Sequence, residues 1–134
     1  MSEIKPGLIS EATITVEEKH TALALGSGGV NVLATPIMVA LMEDAARSMV
    51  DPLLGPEKLS VGTAIEVKHQ AATPVGMRVT ARAELLSIDG RTLTFRVEAH
   101  DEREVVGQGT HTRAIINLES FLARMRQKGL AGAD

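Results

Sequence analysis

Cysteine, tryptophan and tyrosine are absent from this chain of 134 residues, and its aromatic content is limited to Phe95 and Phe121. Without cysteine the chain has no disulfide, no thiolate nucleophile and no thiolate ligand for zinc. Two phenylalanines are too few for a surface on which successive nucleobases stack. The core and any pocket are therefore expected to be built mostly from aliphatic side chains.

An excess of positive charge is also missing. The formal net charge is −3, with acidic and basic residues interspersed, so neither a nucleic acid nor a membrane surface is an expected partner. The first residues, Met1 to Pro6, lack the apolar core of a signal sequence, and no apolar run approaches the roughly 18 residues of a membrane span. We therefore expect a soluble, cytoplasmic protein.

Length and hydropathy fit one folded unit. A chain of 134 residues with 44% hydrophobic content can build a core and is short for two domains, so a single domain over residues 1–134 is predicted. Alternation of apolar and polar residues predicts five strands, two of them joined by a hairpin turn at Asp89-Gly90. The strands cover about Ile9 to Val16, Val61 to His69, Met77 to Ile88, Arg91 to His100 and Val105 to Ile116.

Two helices are predicted besides these strands. The longer begins with Thr35 as its N-cap and runs to about Val50, where Asp51-Pro52 ends it. Apolar residues recur along it at spacings of three and four, which predicts one buried face. The shorter helix covers Leu118 to Lys128 and is closed by Gly129.

The order of these elements predicts an α+β fold, in which a curved antiparallel sheet of about five strands wraps one long central helix. Such a sheet has open edges and leaves one side of the helix uncovered. A two-fold dimer covers both, so a homodimer is expected.

Three polar side chains on these elements could perform acyl transfer together. Thr35 offers a hydroxyl, Glu43 a carboxylate and His69 an imidazole, which are the groups that attack, accept a proton and orient one another in nucleophilic catalysis. Each also has a structural alternative. Thr35 could be only a helix cap, and His69 a hydrogen-bonded core histidine. Glu43 could be a surface acid paired with Arg47 one turn along the helix.

The strand Val61 to His69 also contains a glycine, Gly62. Strict alternation places His69 on the face of the apolar Ile65 and Val67, and Gly62 on the opposite face. Gly62 could let a ligand approach the backbone closely, or it could mark a bulge.

Several segments around these residues resemble one known family. The segments are Ala34 to Glu43, Leu59 to Ala64 with His69 following, Ala71 to Pro74, and Gly107 to His111. They are similar to the hotdog-fold thioesterases, and within these to the fluoroacetyl-CoA thioesterase-like family, over about residues 9–128. The resemblance implies a hotdog fold, a dimer whose two sheets join into one, and acyl-CoA hydrolysis at the subunit interface with no metal or other cofactor.

Matching positions carry the family's functional places onto this chain. The resemblance implies catalytic roles for Thr35, Glu43 and His69, and gives Gly62 the place of a backbone group near the thioester carbonyl or the attacking water. We therefore predict a thioesterase that hydrolyses a small acyl-CoA. His69 would activate water or Thr35, Glu43 would act as a base or form a transient acyl anhydride, and helix N–H groups with the Gly62 region would stabilise the oxyanion.

One stretch departs from the family pattern. The fluoroacetyl-CoA enzyme covers its pocket with a lid built on phenylalanines, whereas the stretch Leu23 to Leu33 has none and is rich in glycine. A different acyl group is therefore expected, such as a short or medium chain or an aryl acid. Two other functions stay open: a non-catalytic hotdog protein that binds acyl-CoA or a small acid, and an enoyl-CoA hydratase or dehydratase in which His69 and Glu43 handle water.

The remaining charged residues give weaker signals. His111, within the family-like segment, is expected to be structural. The coenzyme A phosphates are expected to meet a lysine or arginine near the pocket mouth, with Arg91, Arg113, Arg126 and Lys128 as the candidates.

Overall fold

The molecule is organised around one long helix that packs against a curved antiparallel sheet. The computed structural model describes residues 3–129. The strands are β1 (Ile9–Thr15), β2 (Lys58–His69), β3 (Arg78–Asp89), β4 (Thr92–His100) and β5 (Val105–Asn117). They lie in the order β1-β3-β4-β5-β2, and every pair of neighbours is antiparallel. The predicted α+β hotdog fold, with five strands around a central helix, is confirmed.

The helices are α1 (Ala22–Leu25), α2 (Thr35–Val50) and α3 (Leu118–Lys128). The predicted extents of α2 and α3 are confirmed, but the predicted N-cap of α2 is wrong. The extended residue before the helix is Ala34, and Thr35 lies inside the first turn. Because its hydroxyl does not cap the helix, Thr35 is free to bind another group.

The hairpin between β3 and β4 turns one residue later than predicted. Asp89 pairs with Thr92, so the two-residue loop is Gly90-Arg91 rather than Asp89-Gly90. Gly90 has φ of 62°, a conformation that glycine adopts without steric cost. The glycine therefore takes the first central position of the turn.

The core lies between α2 and the sheet and is almost entirely aliphatic, as expected. Phe95 on β4 is fully buried, and much of the remaining core consists of alanine, valine, leucine and methionine. The buried face of α2 comprises Met38, Leu41, Met42, Ala45, Ala46, Met49 and Val50. The many alanines on both sides let the helix lie close to the strands, and burial of each larger apolar side chain contributes about 1.5–3 kcal/mol.

β2 is a long strand at one edge of the sheet, in agreement with the prediction that the sheet has open edges. One side of it pairs with β5 from Lys58 to His69, and its other side faces no strand within residues 3–129. None of the helices in this range is long and apolar enough to span a membrane.

A bulge interrupts β2 near its middle. Gly62 lies opposite Arg113 and Ala64 opposite Thr112, so Thr63 is the extra residue, and its hydroxyl donates to the Thr112 carbonyl at 3.1 Å. An extra residue reverses the alternation of side chains along a strand. The prediction that Gly62 and His69 occupy opposite faces is therefore wrong, because the bulge turns both toward α2.

Candidate active site

Thr35 and His69 form a hydrogen-bonded pair where the start of α2 meets the end of β2. The Thr35 Oγ1 lies 2.7 Å from the His69 Nδ1. The hydroxyl can donate to Nδ1 when that nitrogen carries no proton, which leaves the ring proton on Nε2. Thr35 is exposed and His69 half-buried, so a ligand can reach this pair.

The second ring nitrogen of His69 has no partner. Its Nε2 is buried and makes no hydrogen bond to any residue in the range 3–129. Burial lowers the pKa of His69, against a smaller opposing effect of the Ala71 backbone. The ring is therefore neutral near pH 7 and can accept a proton. A buried polar atom without a partner is uncommon in folded proteins and here points to a ligand or a second chain.

An open cavity of about 260 Å³ lies beside this pair. Thr35, His69 and Gln70 contribute polar groups to it, and most of the remaining lining is small and apolar. The other lining residues are Ala22, Ser27, Val32, Leu33, Ala71 and Ala72. Ligand pockets for drug-sized molecules span roughly 300–1,000 Å³, so this cavity suits a small group.

The glycine-rich stretch from Leu23 to Leu33, which borders this cavity, is partly helical. It contains most of α1, and its two ends are joined because Thr21, just before α1, pairs with Leu33 in an isolated bridge. It has no aromatic residue, but it exposes three large apolar side chains. These are Leu23, Leu25 and Val30, with exposed fractions of 55%, 44% and 59%.

Glu43 lies further along α2 and does not form the ion pair with Arg47 that was its structural alternative. Arg47 instead binds Asp44, with 2.9 Å between Nη2 and Oδ1. The basic group beside Glu43 is Arg113, whose Nη1 is 3.9 Å from the Glu43 Oε2. The carboxylate is half-exposed, and its nearest charge comes from the sheet rather than from its own helix.

Gly62 provides the space that the Glu43 carboxylate occupies. A Cβ atom built on Gly62 would lie 2.6 Å from the Glu43 Oε2, which is closer than real Cβ contacts allow. Glu43 and Gly62 therefore form a second pair among the predicted site residues, and a side chain on Gly62 would displace the carboxylate.

Behind this second pair lies a buried polar network that the sequence did not reveal. Arg113, 4% exposed, donates from Nε to the Ser60 Oγ at 2.7 Å and from Nη2 to the Ser60 carbonyl at 2.9 Å. Its Nη1 lies 3.1 Å from the Nε2 of His111, and the His111 Nδ1 donates to the Ala64 carbonyl at 2.8 Å. Arg113 is therefore too buried to meet a coenzyme A phosphate. His111 has the fully bonded ring expected of a structural histidine.

The two pairs are far apart within one chain. Thr35 and Glu43 are eight residues apart on α2, which is about 12 Å along the axis at roughly 1.5 Å per residue. Gly62 and His69 pair with Arg113 and Gly107, which are six residues apart on β5, so they are separated by about 20 Å along the strand at roughly 3.3 Å per residue. One copy of the chain thus brings together Thr35 with His69 and Glu43 with Gly62, but not the two pairs.

The first turn of α2 offers fewer free N–H groups than expected. Pro36 has none, and those of Ile37 and Met38 donate to the Ala34 carbonyl at 3.0 and 3.1 Å. Within this turn, the Thr35 N–H is the one that donates to no backbone carbonyl among residues 3–129. Any oxyanion at this helix terminus would therefore receive one backbone hydrogen bond from the first turn, rather than several.

Comparison with known proteins gives a consistent family. The model of the fluoroacetyl-CoA-specific thioesterase family matches residues 16–119. A fluoroacetyl-CoA thioesterase from Streptantibioticus cattleyicolor is 54% identical over 101 residues, which cover 75% of this chain and 73% of that protein.

Solved structures agree with the sequence comparison. A point mutant of the fluoroacetyl-CoA-specific thioesterase FlK superposes with a TM-score of 0.89 at 42% identity, covering 96% of this chain and 99% of that chain. A mutant of the same enzyme in complex with fluoroacetate and CoA gives a TM-score of 0.83 over 88% of this chain and 99% of that chain. A hypothetical Thermus thermophilus protein of the thioesterase superfamily is 29% identical, with a TM-score of 0.86 over 98% of this chain and 99% of that chain.

Proposed function

The chain belongs to the family of fluoroacetyl-CoA-specific thioesterases, and we propose that it hydrolyses a small acyl-CoA in a site that two copies of the chain build together. Thr35 and His69 would come from one copy, and Glu43 with Gly62 from the other. The observation that carries this proposal is the separation of the two pairs along α2 and β2. The products are the free acid and coenzyme A.

A two-fold axis at the open edge of β2 would bring the pairs together. Suppose that two copies of β2 pair in antiparallel fashion about Glu66. Because Thr63 is the extra residue of the bulge, Gly62 of one copy then lies opposite His69 of the other. Such a contact is isologous and continues both sheets into one. It also covers the unpaired edge of β2, which would otherwise invite uncontrolled strand addition.

The unpartnered nitrogen of His69 supports the same arrangement. With Nδ1 bonded to Thr35, the buried Nε2 still requires a partner. A thioester bound between the two copies, or the water that attacks it, would provide that partner. The half-exposed carboxylate of Glu43 would approach the same thioester from the opposite copy.

The chemistry requires an oxygen to attack the thioester carbonyl carbon, the C–S bond to break and the departing thiolate to be protonated. The neutral ring of His69 can accept the proton of the Thr35 hydroxyl at Nδ1 or, in the tautomer that carries its proton on Nδ1, the proton of water at Nε2. It can then return a proton to the sulfur. Glu43 either accepts the proton of the attacking water or attacks the carbonyl itself, which gives an anhydride that water then hydrolyses. Both routes need the carboxylate and the imidazole at one thioester.

The dimensions of the cavity favour a small acyl group. The cavity of about 260 Å³ is lined mainly by alanine, valine and leucine. The absence of aromatic side chains from this lining supports an acyl group other than the fluoroacetyl group that the related enzymes hydrolyse.

Thiol release tests this function. Purified protein is incubated with short, medium, branched, aryl and fluorinated acyl-CoAs, and free coenzyme A is measured with a thiol-reactive dye. We expect rapid release from one class of small acyl-CoA. Binding of acyl-CoA that raises the melting temperature without thiol release would instead indicate the non-catalytic alternative. Loss of enoyl absorbance without thiol release would indicate a hydratase.

A further inference from the structure

A buried guanidinium beside Glu43 is the feature that the thioesterase chemistry leaves unexplained. Arg113 is 4% exposed, although arginine is rarely buried without a charged partner. Its three hydrogen-bonding contacts are all to neutral groups, on Ser60 and His111. The carboxylate nearest to it is that of Glu43, at 3.9 Å. Burial of the guanidinium costs desolvation free energy, and it places a fixed positive charge beside the Glu43 carboxylate.

The guanidinium is braced on one side by β2 and the end of α2. Ser60 accepts from Nε and Nη2 through its hydroxyl and its carbonyl. The hydroxyl of Ser60 in turn donates to the Asp51 Oδ1 at 2.7 Å, and the Ser60 N–H donates to the same oxygen at 2.9 Å. Asp51 directly follows α2, so the network joins the helix that carries Glu43 to the strand that carries Gly62.

His111 fixes the remaining side of the guanidinium. Because its Nδ1 donates to the Ala64 carbonyl, its Nε2 is left to accept from the Arg113 Nη1. The ring also stacks on Phe95, with 5.9 Å between the ring centroids. Both neighbours of Arg113 are thus held in place by contacts of their own.

Three side chains of this cluster converge on Gly62. A Cβ atom there would lie 2.6 Å from the Glu43 Oε2, 3.3 Å from the His111 Cε1 and 3.5 Å from the Arg113 Nη1. The carboxylate therefore occupies a slot whose floor is the bare backbone of Gly62 and whose wall is Arg113 and His111. Attraction to the guanidinium keeps the carboxylate in this slot, since no cation on α2 pairs with Glu43.

We propose that Arg113 is a positioning residue for Glu43. Arg113 holds the carboxylate over Gly62. It is itself held by Ser60, which is bound in turn to Asp51. This inference rests on the proposed role of Glu43 in hydrolysis. In this role Arg113 acts on the reaction through Glu43.

Replacement of Arg113 by methionine tests the proposal. Displacement of a catalytic group by about 1 Å can slow a reaction on the order of 10²-fold. Without the guanidinium the Glu43 carboxylate is no longer held in place, so we expect kcat to fall by about that factor. KM should change by less than about three-fold, because Arg113 is not among the residues that line the cavity beside Thr35 and His69. Arg113→Lys keeps the charge but not the planar fork, and should restore part of the loss. Arg47→Met, which removes a cation from α2 that binds Asp44, is the matched control and should leave kcat unchanged.

A double-mutant cycle separates positioning from a general structural effect. If Arg113 acts through Glu43, Arg113→Met should cost no further activity in a Glu43→Gln background. An equal loss in both backgrounds, or unchanged kcat in Arg113→Met, would overturn the proposal. If Arg113→Met does not fold, Ser60→Ala removes one brace and should show a smaller loss of kcat that also disappears in the Glu43→Gln background.

The same cycle distinguishes this inference from the proposed function. An inactive Glu43→Gln variant beside a fully active Arg113→Met variant overturns only the positioning role. A fully active Glu43→Gln variant overturns both proposals, because Arg113 then has no catalytic group to position.

Discussion

Glu43→Gln is expected to lower kcat/KM by about 10³-fold or more and to leave the protein folded. The amide has nearly the same shape as the carboxylate, so it still fits over Gly62. It can neither accept a proton at neutral pH nor attack a carbonyl carbon, so both routes open to Glu43 are closed. Thiol release from the best acyl-CoA of the panel measures the loss, and a thermal melt verifies the fold.

Asp44→Asn is the matched control for this change. Asp44 is the next residue on α2, is exposed and pairs with Arg47. Its replacement removes the same charge from the same helix, and kcat/KM should stay within about two-fold of the wild-type value, as for most surface changes. Retention of wild-type turnover by Glu43→Gln would remove Glu43 from the mechanism.

His69→Ala is expected to lower kcat/KM by about 10²–10⁴-fold, the range that a general base contributes. The Thr35 hydroxyl loses the nitrogen that lies 2.7 Å from it and that can take its proton. His69 is only half-buried, so the loss of activity should exceed any loss of stability. Thiol release and a thermal melt on the same samples compare the two. His100→Ala, on a different strand, is the control and should keep full activity.

The pH dependence of the wild-type enzyme tests the same residue. Because burial lowers the pKa of His69, the neutral ring persists to lower pH than an unperturbed histidine of pKa about 6.5 would allow. The acidic fall of kcat/KM should therefore lie below that pH. A fall centred above it would show that another group controls the acidic limb.

The sequence predicted those parts of the fold that depend on local patterns. Helix geometry determines the stripe of apolar residues along α2 and the end of the helix before Pro52. The buried face of α2 and its end at Val50 are both as predicted. Thr35 shows the limit of such rules. It is a good N-cap type, yet Ala34 takes that position, because the hydroxyl binds His69 from a strand more than thirty residues later.

The bulge at Thr63 and the Arg113 network could not be predicted. Periodicity assumes an uninterrupted strand, so one extra residue reverses the predicted face of Gly62. Arg113 was a candidate for a coenzyme A phosphate contact, because nothing in its neighbourhood in the sequence identifies Ser60 and His111 as its partners. The resemblance to a known family predicted Thr35, Glu43, His69 and Gly62 as site residues, but only the structure separates them into two distant pairs.

Mixed dimers provide the most direct measurement of the shared site. Two differently tagged chains, one carrying Glu43→Gln and the other His69→Ala, are co-expressed, and the heterodimer is isolated by sequential affinity steps. If each site takes Glu43 from one copy and His69 from the other, one of the two sites is intact. The heterodimer should then show about half of the wild-type activity, although each parent homodimer is inactive.

A second heterodimer makes the result decisive. Wild-type chain paired with a chain carrying both substitutions has a defect in each shared site and should be inactive. If all the catalytic groups of a site came from one chain, the outcomes would be reversed: the first heterodimer would be inactive and the second would retain about half of the activity. That reversal, or a protein that forms no dimer at all, would contradict a site built by two copies.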